Sequence, residues 1–328
     1  MFRLTKVFVL LASATLLPAQ NPPPPAAPSA ELTAVNFLRV NDEVCTAGQP
    51  SLEDLAKLKA QGVRAIINLR RTSEHNAEEE AAKARELGLR YISIPVDGNN
   101  IQDSQVAEFL KVTADPENRP MFIHCAGANR VGGFWMIRRM LVDKWPLEEA
   151  EAEGRKIGLR SANIRDYAVA YVQRQKAIEE LLAIRNYARP ADDVHIGAQP
   201  RPEFFEKMKA AGVKTILNLR NPSEHRAAEE QAQVEALGLK YINIPLVYTA
   251  PKDEAIDEFL KVMDDAATRP VYIHCTTTIR VAALWMVRRV LRDGWPLEKA
   301  EEEAMKLGLA NSPDMRDFAR AYIAKHKK

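Results

Sequence analysis

Short apolar runs alternate with amphipathic stretches along most of this chain. Ala65–Leu69 is a run of strand length, Tyr91–Pro95 reads as a second strand, and Met121–His124 as a third. Between them the apolar positions spread to helical spacing. Ser51-Leu-Glu-Asp54 has the form of a capping box, opening a helix that Gly62 closes. A Glu- and Ala-rich stretch from about Glu74 to Leu87 predicts a second helix with Gly88 as its C-cap, and Val106, Phe109, Leu110 and Val112 mark a third. Strands alternating with helices predict an α/β fold with a parallel sheet covered on both faces. Ligands in such sheets gather at the carboxyl ends of the strands.

The whole pattern occurs twice. GVRAIINLRRTSEH from Gly62 matches GVKTILNLRNPSEH from Gly212, ELGLRYISIP matches ALGLKYINIP, and FIHC matches YIHC. The offset is 150 residues and holds without a gap from Asn36 to about Leu159; SANIRDYAVAYV answers SPDMRDFARAYI one residue further on. Tandem duplication accounts for this most economically.

Composition supports two units of ordinary size: 328 residues, 46% of them apolar, suffice for two cores. Before the repeat, Arg3 and Lys6 precede the apolar run Val7–Leu17 and a small residue at Ala19, the pattern of a secretory signal peptide. That run is shorter than the roughly 20 residues a stable membrane span wants. Residues 1–20 are therefore expected to direct export to the periplasm or exterior, and 21–33 to form a Pro-rich linker. The copies are expected at 34–183 and 184–328. Setting Arg3 and Lys6 aside leaves 44 cationic and 44 acidic residues, a balance that argues against a general nucleic-acid surface.

Three cysteines, Cys45, Cys125 and Cys275, cannot form a disulfide framework. Cys125 stands at a strand's carboxyl end, followed by Ala126, Gly127, Ala128, Asn129 and Arg130, where a helical pattern begins; the second copy has Cys275, Thr276, Thr277, Thr278, Ile279 and Arg280. Amides ahead of a helix can ring an anion, and the helix dipole favours negative charge there. The same field favours a thiolate nucleophile, and arginine offers a planar fork to two phosphate oxygens.

Strand-His-Cys-loop-Arg-helix resembles the protein tyrosine and dual-specificity phosphatase superfamily. With Gly48-Gln-Pro50, Ile67–Arg70, YISIP and IHC, both copies look like its small bacterial phosphatase-like branch. The resemblance implies two tandem three-layer domains, each a mainly parallel central sheet flanked by helices. It implies that Cys125 and Cys275 attack phosphorus, that Arg130 and Arg280 hold the phosphoryl oxygens, and that His124 and His274 support the thiolate from behind. Asp97 lies where the family carries its general acid, whereas the aligned residue in copy two is Val247. The implied partner is a phosphorylated protein or small molecule; no cofactor is implied.

The sequence departs from the family's pattern in three ways. Each loop has four residues between Cys and Arg, one fewer than the phosphatase signature and equal to the rhodanese loop. Val131 and Val281 replace the hydroxyl residue that helps break down the intermediate, so slow turnover is expected. Thr277 replaces Gly127, which is expected to leave the second loop less able to wrap an anion. Sulfur transfer through a Cys125 persulfide, and anion binding without turnover, therefore stay open beside phosphate hydrolysis.

Other residues have plainer readings. Cys45 is either a buried hydrophobe or a reversible disulfide partner of Cys125. Arg70 and Arg220 end strands on the ligand edge, so they either bind substrate or pair with Glu74 and Glu224. Asp103 and Asp253 read as helix N-caps, Trp135 and Trp285 with Met136 and Met286 as core, and Arg138-Arg139 with Arg288-Arg289 as a solvated face. His75 and His225 have no second ligand at suitable spacing, so no metal site is expected.

Overall fold

The computed structural model describes residues 31–224 and 226–327. The expected signal peptide, most of the Pro-rich linker and His225 lie outside the described residues. The first copy runs β1 (Leu38–Asn41), β2 (Val44–Ala47), α1 (Leu52–Ala60), β3 (Ala65–Asn68), α2 (Ala77–Glu86), β4 (Arg90–Ser93), α3 (Asp103–Ala114), β5 (Met121–His124), α4 (Asn129–Leu141), α5 (Leu147–Ile157) and α6 (Ala162–Leu181). The second repeats it as β6 (Ala188–Ala191), β7 (Val194–Gly197), α7 (Glu203–Ala210), β8 (Thr215–Asn218), α8 (Ala227–Ala236), β9 (Lys240–Asn243), α9 (Asp253–Asp264), β10 (Val271–His274), α10 (Ile279–Leu291), α11 (Leu297–Lys306) and α12 (Pro313–His326).

Each copy holds a five-stranded sheet, ordered β1-β2-β5-β3-β4 and β6-β7-β10-β8-β9, parallel except for the edge strands β1 and β6. The hairpins β1-β2 and β6-β7 add strands that the apolar runs did not announce. The strand carrying each Cys at its end is the central one, flanked by parallel neighbours. Successive side chains alternate between faces. Ala65, Ile67, Met121 and Ile123 pack against α3 to α6, while Cys45, Ile66 and Phe122 pack against α1 and α2. Three layers result in each copy.

Helix α6 serves both copies. Ile164, Ala168 and Val172 belong to the first core, whereas Ala177 and Leu181 of the same helix pack with Phe204, Phe205 and Met208 in the second. The expected division between residues 183 and 184 falls just past it. Among the described residues no helix is long and apolar enough to cross a membrane.

Several local expectations are corrected. The capping box at Ser51 and Asp54 is present, but the helix expected from Glu74 begins at Ala77, after a separate 3-10 turn over Thr72–Glu74. Asp103 and Asp253 stand inside their helices rather than capping them. Asp103 instead accepts bonds from Tyr167 and Arg174, both at 2.7 Å, tying α3 to α6. Arg139 and Arg289 are not solvated: each donates to a glutamate of the next helix, Glu153 or Glu303, and stacks on two tryptophans. Trp135 and Trp285 are buried as expected, their indole N–H groups donating to the same glutamates.

Candidate active site

Beyond the end of β5 the chain turns through Ala126–Ala128 before α4 begins. Ala128 takes a left-handed conformation at φ 64°, and Thr278 does so at φ 84°. Thr278 is β-branched and ill suited to that region; its hydroxyl donates to Leu307 O at 2.6 Å. Gly127 is not in the left-handed region, and a Cβ built there meets nothing within 4 Å. The expectation that Thr277 handicaps the second loop is therefore corrected, because the demanding position is the next one and neither copy has glycine there.

Loop carbonyls are held from outside. Gln49 N donates to Ala126 O at 3.1 Å, and Asn36 Nδ2 to Gly127 O at 3.1 Å. A trans peptide sets its C=O and the following N–H on opposite sides, so the amides of Gly127 and Ala128 point the other way, into the loop. In copy two Asn186 Nδ2 donates to Thr277 O at 2.9 Å, and the amide of Thr278 donates to Cys275 Sγ at 3.2 Å. One amide of the cradle predicted from the motif, that of Thr278, thus meets the second sulfur.

Arg130 and Arg280, the second residues of α4 and α10, are nearly buried. Arg130 grips Glu74 with both terminal nitrogens, at 2.9 and 2.7 Å, and donates to Val96 O at 2.8 Å. Arg280 grips Glu224 at 2.7 Å twice and donates to Leu246 O at 3.1 Å. Burial works against the Arg130 charge, but bonds to Glu74 and the nearby Cys125 sulfur outweigh it and raise its pKa. Bonding to Arg130 in turn holds the Glu74 carboxyl down at about 2, and Arg280 does the same to Glu224.

Behind the loop lies a buried polar group that the sequence reading missed apart from its histidine. His124 Nε2 is 3.0 Å from Glu80 Oε1. Glu80 also accepts from Tyr91 at 3.1 Å and faces His75 at 3.3 Å, while Asn68 donates to Tyr91 at 2.8 Å. Burial alone would raise the Glu80 pKa, yet His124, Gln49 and Tyr91 together lower it. In copy two Glu230 faces His274 at 3.4 Å and bonds Gln199, Asn218 and Tyr241, and its carboxyl falls to about 2. Each histidine thus lies buried one residue before the Cys with a carboxylate 3.0 or 3.4 Å from its Nε2.

In copy one an open cleft of about 320 Å³ joins Cys125, Ala126, Gly127, Asn129 and Arg130 to Asp97. Glu74, Arg71, Gly98, Asn99, Ser161 and Ile164 complete its wall. Ala128 is wholly buried beneath it. Asn129 lines the wall, but its side chain is committed to the amides of Arg160 and Ser161, at 2.8 and 3.1 Å. Arg70 is not part of the wall; it donates to Gln49 Oε1 at 2.7 Å and to Glu74 O, so it fixes the turn that presents Glu74. Arg220 does the same with Gln199 and Glu224.

Asp97 sits at the mouth. Its Oδ2 is 3.2 Å from Arg71 Nη1, and its Oδ1 accepts from the amide of Asn99 at 3.0 Å. Around the second Cys the mouth differs. Val247 and Asn221 occupy the positions of Asp97 and Arg71, Ile279 that of Asn129, and Tyr248 that of Gly98. The Tyr248 hydroxyl donates to Ser312 Oγ at 2.6 Å. Thr276 Oγ1 accepts from Arg280 at 3.1 Å.

Cys45 cannot reach Cys125. It pairs in register with Phe122, three residues back along β5, and packs on the opposite face of the sheet. At about 3.3 Å per residue the separation is roughly 10 Å, well beyond the roughly 7 Å limit for a disulfide. All three cysteines are free. Burial pushes the Cys45 thiol up to about 11, so it behaves as a small hydrophobe.

Comparison with known proteins gives the following likenesses. Residues 37–166 and 188–307 both match the family described as DSP-PTPase phosphatase fused to NAD+ kinase. The chain is 32% identical over 126 residues to a beta-lactamase hydrolase-like protein of Agrobacterium fabrum, covering 37% of this chain and 29% of that one. It is 32% identical over 104 residues to an inositol diphosphatase of Oryza sativa subsp. japonica, covering 30% and 50%. The chain thus spans about a third of the length of the beta-lactamase hydrolase-like relatives it matches. Among solved structures, the DUF442 protein of Shewanella putrefaciens CN-32 is 26% identical, with a TM-score of 0.42, over 46% of this chain and 99% of that one.

Proposed function

Because this chain belongs to the family described as DSP-PTPase phosphatase fused to NAD+ kinase, we propose that it is a cysteine-dependent phosphatase acting on phosphomonoesters, with its first copy as the working site. The observation that carries this reading is the meeting of Cys125, Arg130 and Asp97 on one cleft. The Cys125 thiolate attacks phosphorus, and an S–P bond forms as the P–O bond to the leaving alcohol breaks. Arg130 and the loop amides take up the charge on the phosphoryl oxygens. Asp97 gives its proton to the departing oxygen. Water then attacks phosphorus, Asp97 takes up the proton, and the S–P bond breaks to release phosphate and thiolate.

The second copy holds Cys275, Arg280 and the amide cradle but no acid at position 247, so it binds the same anions and turns them over more slowly. The charge pattern of the first 20 residues supports an exported protein, periplasmic or extracellular.

Phosphate release from p-nitrophenyl phosphate tests this. Cys125→Ser is expected to remove most of the release, leaving only the slow turnover of the second copy, and Cys275→Ser to leave most of it. Equal release by wild type and Cys125→Ser would overturn the assignment. Thiosulfate-to-cyanide sulfur transfer without phosphate release would move the chemistry to a Cys125 persulfide.

A further inference from the structure

The proposed acid does not stand alone at the cleft mouth. Arg71 donates through Nε to Glu74 Oε1 at 2.8 Å and through Nη1 to Asp97 Oδ2 at 3.2 Å. Glu74 is the carboxylate that Arg130 grips at 2.7 Å. A continuous series of charges therefore leads from the phosphate-binding guanidinium to the acid: Arg130, Glu74, Arg71, Asp97. Arg71 is half-exposed, and exposed ion pairs contribute little to stability, so the fold itself has small need of it.

Copy two supplies an independent observation. It keeps the inner pair, Arg280 with Glu224, and lacks the outer pair together, with Asn221 and Val247 in place of Arg71 and Asp97. The Asn221 amide still bonds Glu224 Oε1 at 3.0 Å. The turn thus keeps its backbone bond to the glutamate without the guanidinium, and of the two copies the arginine is present in the one that has an acid for it to hold.

We propose that Arg71 is a positioning residue for Asp97, holding the acid over the leaving oxygen and linking its placement to occupation of Arg130 through Glu74. An arriving phosphate must share Arg130 with Glu74. Any shift of the Glu74 carboxylate moves Arg71 and, with it, Asp97. Arg71 donates no proton and needs no contact with the reacting atoms; it acts through the carboxylate beside it. This inference rests on the phosphatase reading and goes beyond it by naming what sets the acid's position.

The test uses the full chain, two esters and four variants. p-Nitrophenyl phosphate has a leaving group stable enough to depart with little help; phenyl phosphate needs its leaving oxygen protonated. Arg71→Gln is expected to lower kcat on phenyl phosphate by about 10-fold while changing kcat on p-nitrophenyl phosphate by less than about 3-fold, with KM little altered on either. Asp97→Asn should show the same selectivity with a larger loss. The double variant Arg71→Gln/Asp97→Asn should be no worse than Asp97→Asn alone, since residues acting as one unit are not additive. Arg71→Lys should recover part of the loss.

Equal losses on both esters, or a double variant that multiplies the single effects, would overturn the positioning role while leaving the phosphatase reading intact. A wild-type protein that releases phosphate from neither ester would overturn both.

Discussion

Beneath the two Cys loops the copies carry the same buried groups in the same places: Glu80 with His124 and Tyr91 in one, Glu230 with His274 and Tyr241 in the other. Above them, at the cleft mouth, Asp97 and Arg71 of the first copy are answered by Val247 and Asn221 of the second. The division follows burial. Groups that hold an anion are also groups that hold the fold, because removing any of them strands a charge or a polar atom inside the protein. Asp97 and Arg71 are half-exposed at the mouth, so a copy can carry other residues in their places and keep its shape.

The largest effect is expected from the part the copies share. Glu80→Ala would leave His124 and Tyr91 without their buried carboxylate, and removing one partner of such a group costs about 3 kcal/mol. Glu230→Ala should cost a similar amount in copy two, measured for each by urea unfolding. A difference of more than about 1.5 kcal/mol between them would show that the foundations are not equivalent. The pH dependence has a definite sign. The Glu230 carboxyl lies near 2 in the folded protein against an ordinary 4.5, so its contribution is complete above about 4.5. It is lost as pH falls from there toward about 2, and Glu74 and Glu224 fall in the same window. Unfolding midpoints should therefore drop across that window in wild type, and less steeply in Glu230→Ala. A midpoint independent of pH there would contradict the assignment.

Next in size is conversion of the first mouth into the second. Arg71→Asn/Asp97→Val should leave the fold intact and lower phosphate release from phenyl phosphate about 100-fold, the usual worth of a general acid. Unchanged phosphate affinity, followed by calorimetry in the Cys125→Ser background, would place the loss in turnover rather than binding. The reverse exchange is expected to do less. Asn221→Arg/Val247→Asp, made with Cys125→Ser so that only copy two can act, should raise release about 10-fold over Cys125→Ser alone. The gain is smaller because Tyr248 still bridges to Ser312 across that mouth. No gain at all would mean that the copies differ in something other than the acid and its arginine.

How much of this was legible in the sequence depended on the distance over which each feature is built. The parallel strands, the place of the Cys at a strand's carboxyl end and the repeat follow from local runs and self-comparison. Glu74 was seen only as a neighbour of Arg70, because its partner Arg130 lies 56 residues away and the pairing exists only once the sheet has formed. Glu80 was hidden inside an ordinary-looking acidic helix, Ala77–Glu86, although its match with Glu230 was available from the aligned copies. The coupled change of Arg71 with Asp97 is likewise visible in the aligned copies, but its meaning depends on the contact between the two side chains, 26 residues apart, which only the fold makes. For Cys45 the buried-hydrophobe reading holds and the disulfide alternative falls, a choice left to the fold because spacing along the chain does not reveal which face of a sheet a residue occupies. Arg139 was misread for a similar reason, its carboxylate partner Glu153 coming from the following helix.

The smallest expected effect tests the same comparison at the loop itself. Glycine in an anion-binding loop suggests a backbone that only glycine permits, and on that ground the second loop looks impaired. Gly127, however, is outside the left-handed region, and an added Cβ would meet open space. The strained conformation falls on Ala128 and Thr278, one residue on, where both copies accept its cost. Gly127→Thr should therefore leave stability within about 0.5 kcal/mol of wild type, the usual range for a surface change that breaks no special feature. It should alter phosphate release less than about 2-fold, because the loop carbonyls that turn the amides inward stay tied to Gln49 and Asn36. A loss approaching that of Asp97→Asn would place the difference between the copies in the backbone of the loop and not at the mouth of the cleft.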